Sequence, residues 1–313
     1  MVRSKTKKST PYTLPPTPSL LSPRLLRGWP LPQPDEEADK DERGRVLVVG
    51  GALEMPGAVM LAATAALRAG AGKLQIATCR SIAQAVAVAI PEARVFALPE
   101  TKKGGIAASA ASLIAEHANK AQAVLIGPGM VDEGAVMRLM KGLLPRLKDA
   151  TIVLDAGALS CFSEAPDWLH KSEVKMILTP HAGEMAGMLN VDVESLRRDP
   201  LAIARRAASE FKAVIALKGR ETFIVAPDGE AYCNRAGNVG LATSGSGDTL
   251  SGIIAGLAAR GADPLRAAAW GVHLHARAGD RLAKRVGRLG FLARELLAEI
   301  PSLMSGFDKR KKL

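Results

Sequence analysis

The chain has 313 residues, an apolar content of 48% and a formal net charge of +11. That much apolar material excludes a disordered chain, and no apolar run nears the roughly 18 residues that a membrane span needs. The charge sits at the ends, since residues 1–28 carry +6 and Asp308–Lys312 add +3; with a near-neutral middle, no specific nucleic-acid partner is expected.

Residues 1–44 hold eight prolines and a charged run, Asp35 to Arg43, and read as a basic, Pro-rich mobile segment. Order is expected from Arg45. Apolar runs at Val46–Val49, Leu74–Ala77, Arg94–Ala97, Ala123–Ile126, Ile152–Leu154, Met176–Leu178 and Val214–Leu217 read as buried strands. Helical patterns lie between them at Gly57–Ala69, Ser81–Ala89, Gly105–Asn119, Gly134–Leu147 and Pro200–Phe211. Thr222–Ala226 and Glu230–Cys233 flank Pro227-Asp228-Gly229 and predict a hairpin. Gly247–Arg260, Pro264–Val286 and Phe291–Ile300 then read as helices. Repeated β-α alternation predicts a mostly parallel sheet with helices on both faces. Only 11 residues are aromatic, so Ala, Val, Leu and Ile must fill the core.

Cys79, Cys161 and Cys233 lie far apart without CxxC spacing and read as buried thiols in a reducing compartment. Prolines interrupt the apolar residues of the N-terminus, so no leader is read there and a cytoplasmic location is expected.

Ligands of open α/β sheets bind beyond the carboxyl ends of the strands. Every polar or Gly-rich motif here follows a predicted strand: Gly50-Gly51, Gly127-Pro128-Gly129, Asp155-Ala156-Gly157, Thr179–Glu184 and Lys218–Thr222. They are expected to converge with Thr243-Ser244-Gly245-Ser246-Gly247-Asp248, which opens a helix. Free amides at such a helix start suit an anion, and Asp248 beside it could take a proton from a hydroxyl attacking phosphorus. Taken alone, GSGD could equally be a Gly-rich turn with Asp248 near a cap.

From Arg45 to Ile300 the chain resembles the ADP/ATP-dependent NAD(P)H-hydrate dehydratases. The likeness rests on Gly50-Gly51 with Gly57-Ala58, Ala66–Gly72, Gly127-Pro128-Gly129, Leu154-Asp155-Ala156, Thr179-Pro180-His181-Ala182-Gly183-Glu184, Leu217-Lys218-Gly219, Leu241–Asp248 and Ala278-Gly279-Asp280. It implies a ribokinase-like three-layer α/β/α sandwich with a mostly parallel sheet and an antiparallel hairpin. It implies a catalytic domain over 45–303 with part of the preceding segment, around Leu25 to Pro32, lying on it, a basic tail over 304–313, and no fused epimerase domain.

The implied reaction transfers a nucleotide's terminal phosphate to the ring hydroxyl of hydrated NADH or NADPH, then eliminates phosphate. By the same resemblance Asp248 is the catalytic acid/base, and Ala58, Gly129, His181 and Asp248 contact the hydrated dinucleotide. Lys218, Gly219, Arg220, Glu221, Thr222 and Gly247 bind the nucleotide, and Gly245, Ser246 and Gly247 form the anion hole. ADP is the expected donor, with ATP as the alternative, Mg²⁺ the expected ion and a homotetramer the expected assembly. Glu184 reads either as a helix-start acid or as a partner of Mg²⁺-bound water.

Two departures stand out. Gly157 occupies a position where the family often has an acid, and Leu53 and Met55 lie in a loop that usually carries Ser and an aromatic residue. His273 and His275, two apart on a helix, point to different sides and are assigned to packing or capping. Trp29, Trp168 and Trp270 read as structural. A small-molecule kinase and a non-catalytic nucleotide sensor remain as alternative functions.

Overall fold

The computed structural model describes residues 17–35, 37, 39–163 and 174–307. Trp168 and the C-terminal Asp308–Lys312 therefore lie outside the described residues.

Among the described residues ten strands form one sheet: β1 (Ser19–Leu20), β2 (Arg45–Val49), β3 (Lys73–Cys79), β4 (Ala93–Leu98), β5 (Ala123–Ile126), β6 (Thr151–Leu154), β7 (Met176–Leu178), β8 (Val214–Leu217), β9 (Thr222–Val225) and β10 (Ala231–Asn234). Their order across the sheet is β1-β10-β9-β8-β7-β6-β5-β2-β3-β4. Only β9 runs against its neighbours, as the Pro227-Asp228-Gly229 turn demands. Strands β5, β6, β7 and β8 are buried at every position, so helices must cover both faces.

The helices are α1 (Pro23–Arg27), α2 (Pro56–Arg68), α3 (Arg80–Ala89), α4 (Ala111–Ala118), α5 (Glu133–Leu143), α6 (Ala182–Leu189), α7 (Val193–Arg198), α8 (Pro200–Phe211), α9 (Ser246–Ala259), α10 (Pro264–Arg285) and α11 (Ala293–Ser305). One layer is built on α9, which packs on β5 and β6 and also against α2 and α10. The other layer holds α4, α5 and α8. The α9–α2 contact is close because Gly252 and Gly256 carry no side chain. A methyl at Gly252 would lie 2.1 Å from the Ala62 carbonyl oxygen, and one at Gly256 would lie 2.4 Å from that of Ala66. This packing seats the start of α9 over the middle of the sheet.

Three expectations need correction. Order does not begin at Arg45: Leu26 and Leu31, in the Leu25–Pro32 stretch expected on the domain, are buried, the Trp270 indole donates to the Trp29 carbonyl at 2.8 Å, and the ordered segment reaches back to Leu21, also buried, and to Ser19–Leu20, which pairs with β10. The apolar residues between the prolines are the physical reason. The helix expected from Gly105 starts only at Ala108, as a 3-10 turn leading into α4, because Thr101–Gly105 forms a tight turn with Gly104 at φ +76°. The short helix α7 and the 3-10 segment Ala156–Phe162 have no counterpart in the sequence reading, while α6 has only Glu184, read as a possible helix-start acid and found in its first turn. No helix among the described residues is long and apolar enough to cross a membrane.

Candidate active site

The five motifs lie beyond the carboxyl ends of β2, β5, β6, β7 and β8 and touch in sequence across the sheet. The Gly51 amide donates to the Pro128 carbonyl at 2.7 Å, and a methyl at Gly127 would lie 1.7 Å from the Asp155 carbonyl oxygen. The Thr179 hydroxyl donates to Asp155 Oδ1 at 2.8 Å, and the Lys218 amide donates to the Pro180 carbonyl at 2.8 Å. Glycine is required at 127, where φ is +126° and the neighbouring backbone leaves no room for a side chain.

Four charged groups meet in the middle of this rim. Lys218 Nζ donates to Asp155 Oδ1 at 3.0 Å and lies 3.7 Å from Glu184 Oε2. Gly247 faces them, since a methyl there would sit 3.5 Å from Lys218 Nζ and 3.9 Å from Asp155 Oδ2. Asp248 follows in the first turn of α9. Burial pushes its carboxyl up to about 6, with the Asp155 charge adding to the rise and Lys218 opposing it. Burial also works against the charge on Lys218, but the carboxylates of Asp155, Glu184 and Asp248 outweigh it and hold the ammonium above the ordinary lysine value.

Gly245 caps α9 in the left-handed region, at φ +84°. Helix geometry leaves the amides of Gly247 and Asp248 without intrahelical acceptors. Ser246 differs from its neighbours in the expected anion hole. Its amide donates to the Thr243 carbonyl at 3.2 Å, and its hydroxyl is buried against His275 Nε2 at 3.0 Å. Burial drives His275 down to about 4, so it is neutral at pH 7. His273 is buried too, 5.8 Å from the Phe307 ring.

His181 caps α6: its Nδ1 accepts from the amides of Gly183 at 3.0 Å and Glu184 at 3.1 Å, while Glu184 Oε2 accepts from the His181 amide at 2.7 Å. The ring is otherwise exposed, with its Nε2 3.5 Å from Glu184 Oε1. Ala58 and Gly129 meet on the β2/β5 side, where a methyl on Gly129 would lie 3.1 Å from Ala58 Cβ. On the other side Gly219 and Arg220 are exposed, Thr222 opens β9, and Glu221 pairs with Arg235 at 2.8 Å. Arg220 and Glu221 are thus not drawn into the charged cluster.

The sequence reading assigned no role to Asp155, Glu221's partner Arg235, or Asp280. Asp155 is the buried anchor of Lys218. Asp280 accepts from the Gly237 amide and the Asn238 side chain, each at 3.3 Å, and so fixes the loop that leads into the glycine turn. A charged residue directly after a buried strand was the available signal for Asp155. At Gly157 a Cβ would lie 2.0 Å from the Met130 carbonyl oxygen, so this backbone admits no acid there.

Residues 46–302 match the family model of NAD(P)H-hydrate dehydratase. The chain belongs to that family. It is 48% identical over 279 residues to the ADP-dependent (S)-NAD(P)H-hydrate dehydratase of Xanthomonas campestris, covering 89% of this chain and 93% of that one. Among solved structures it is similar to the ADP/ATP-dependent NAD(P)H-hydrate dehydratase of Bacillus subtilis co-crystallised with ATP and Mg²⁺. There the TM-score is 0.79 and the identity 31%, over 93% of this chain and 99% of that one. A ribokinase-like superfamily protein from Enterococcus faecalis superposes with a TM-score of 0.79 at 26% identity, over 96% and 99% of the two chains. The fold of this dehydratase-family chain is accordingly ribokinase-like.

Proposed function

We propose that the chain returns hydrated NADH and NADPH to NADH and NADPH at the expense of ADP, with Asp248 as the proton acceptor. The observation that supports this reading is the position of Asp248 at the α9 N-terminus, next to free helix amides and the Lys218–Asp155–Glu184 cluster. The family names carried by the Xanthomonas and Bacillus proteins supply the substrate class.

In the first step the ring hydroxyl gives its proton to the Asp248 carboxylate as its oxygen bonds to the terminal phosphorus, and the bond to AMP breaks. The amides of Gly247 and Asp248 and the Lys218 ammonium face the charge on the moving phosphoryl group. In the second step the ring carbon–oxygen bond breaks. Phosphate leaves with the electron pair, the ring nitrogen lone pair assists, and loss of a neighbouring ring proton restores the double bond. Phosphorylation is needed because hydroxide leaves poorly near neutral pH. A partly desolvated Asp248 is a stronger base than an exposed one and still largely ionised at pH 7.

Among the described residues no group of three or more His, Cys, Asp or Glu could hold a metal. The residues fit an ion that arrives on the nucleotide and needs few protein ligands, which Glu184 would hold through bound water. When bound, Mg²⁺ neutralises phosphate charge. Ala58, Gly129 and His181 would hold the dinucleotide, and Lys218–Thr222 the donor. A homotetramer in the cytoplasm completes the reading, supported by the family resemblance and by three free, buried cysteines.

The test is incubation with hydrated NADH, Mg²⁺ and either ADP or ATP. Return of the reduced-nicotinamide absorbance with one phosphate released per turnover is expected. Nucleotide binding without recovery of NADH, where a known dehydratase works, would return the chain to the kinase or sensor readings.

A further inference from the structure

Two lysines at the rim of the site have no role in the reading above. Lys102 and Lys103 are exposed at the tip of the turn after β4, and neither ammonium has an ion-pair partner among the described residues. The turn is rigid. Thr101 closes it by donating its amide to the Gly105 carbonyl at 2.7 Å, and the Thr101 hydroxyl accepts from the amides of Lys103 at 3.3 Å and Gly105 at 3.2 Å. Its position is fixed by the Gly104 carbonyl, which accepts from the Leu53 amide at 3.0 Å and from Cys79 Sγ at 3.2 Å.

The turn therefore abuts the loop that leads into Ala58. It also abuts the loop that follows Gly129, since a methyl at Gly105 would lie 3.4 Å from Asp132 Cβ. None of the neighbouring acids pairs with either lysine among the described residues. Asp132 accepts from the Ala135 amide at 3.1 Å and Glu100 from the Ser81 amide at 3.1 Å. Glu54 is exposed on the adjoining loop and Arg80 adds a further positive charge beside Glu100.

Distance makes the placement meaningful. The reacting hydroxyl belongs beside Asp248, close to the end of β6, and the donor fills the β8 and β9 side. The second ligand must then run the other way, along the ends of β5, β2, β3 and β4. Four inter-strand spacings amount to about 19 Å, within reach of the far nucleoside of an extended dinucleotide.

We propose that Lys102 and Lys103 bind the phosphomonoester on the adenosine ribose of hydrated NADPH and so favour it over hydrated NADH. This rests on the dinucleotide orientation of the proposed function. The extra group carries close to two negative charges, and two adjacent ammoniums on a fixed turn answer it as point charges. The hydrated NADH ribose offers them only a hydroxyl.

The experiment compares the full-length enzyme with the double variant Lys102→Ser/Lys103→Ser, after thermal melting shows both folded. Turnover of hydrated NADPH and hydrated NADH is measured, and binding of NADP⁺ and NAD⁺ is titrated calorimetrically with AMP present. The variant is expected to lower the NADPH-to-NADH ratio of kcat/KM about tenfold, and the wild-type ratio to fall with added salt. The NADP⁺-to-NAD⁺ affinity ratio is expected to move with it. An unchanged ratio in both measurements overturns the proposal. No turnover by the wild type, with lysine-dependent NADP⁺ binding intact, would instead overturn the assigned reaction and leave the phosphate site standing.

Discussion

The Lys218 ammonium is bound at 3.0 Å to a carboxylate of Asp155 that is almost wholly buried. The lysine is thus tied to the protein's own acid, with Glu184 at 3.7 Å on its other side. It organises three carboxylates before any phosphate arrives.

Lys218→Met is therefore expected to do more than weaken nucleotide binding. It strands Asp155 as a buried charge, at a cost of about 3–5 kcal/mol, visible as a lower melting temperature. It also removes the group that lowers the Asp248 carboxyl, so the acid limb of kcat/KM should move upward. Asp155→Asn removes a group that raises Asp248, so the limb should move downward. Shifts of the same sign in both variants would contradict this electrostatic arrangement.

The wild-type pH profile is the second check. A base held at about 6 predicts kcat/KM falling as pH drops through that value, because the protonated carboxyl cannot accept the hydroxyl proton. A limb near 4 would mean that Asp248 is not the titrating base.

Asp248→Asn separates catalysis from stability. It removes the base, so kcat should fall by roughly 10²–10⁴-fold. Because the folded-state value lies above the unfolded one, the native site favours the protonated form below the unfolded value and loses that advantage as pH rises through about 6. Above that the neutral amide should stabilise the fold by about 1–2 kcal/mol; below about pH 4 the gain should vanish. Melting curves at pH 7.5 and 3.5 distinguish this from a pH-independent packing change.

Gly157→Asp supplies the acid that the family often has at this position. With the Met130 carbonyl oxygen 2.0 Å from the new Cβ, the substitution should cost ~3 kcal/mol or more and raise no activity. A variant that melts like the wild type would show that the Asp155–Phe162 turn can shift.

A chain starting at Arg45 loses Leu21, Leu26 and Leu31 from the core, each worth about 1.5–3 kcal/mol. It also loses the Trp29 carbonyl that holds the Trp270 indole. A chain starting at Leu25 loses β1, Leu21 and the capped start of α1 but keeps Leu26, Trp29 and Leu31, so its melting temperature should fall less. Both should keep kcat while folded, since the segment touches β10 and Trp270 rather than the charged cluster. Loss of kcat in the folded Leu25 chain would connect the segment to the site.

The amino-acid sequence alone determined the seven parallel strands, although Arg94–Ala97, read as buried, lies in the largely uncovered edge strand β4; continuous runs such as Ala123–Ile126 and Val214–Leu217 have no other place to go than between two helical layers. It also determined that every Gly-rich or charged motif follows a strand, and hence lies on one rim. It could not reveal which partners those side chains take, since Asp155, Lys218 and Glu184 are far apart along the chain and meet only when β6, β7 and β8 align. The buried Ser246 hydroxyl and the lack of space at Gly157 were equally out of reach, because both depend on what another segment places opposite. The N-terminal segment misled in part for a related reason: its prolines read as disorder and only the family resemblance pointed to Leu25–Pro32, yet three leucines between them find a core that only the finished sheet and α10 provide.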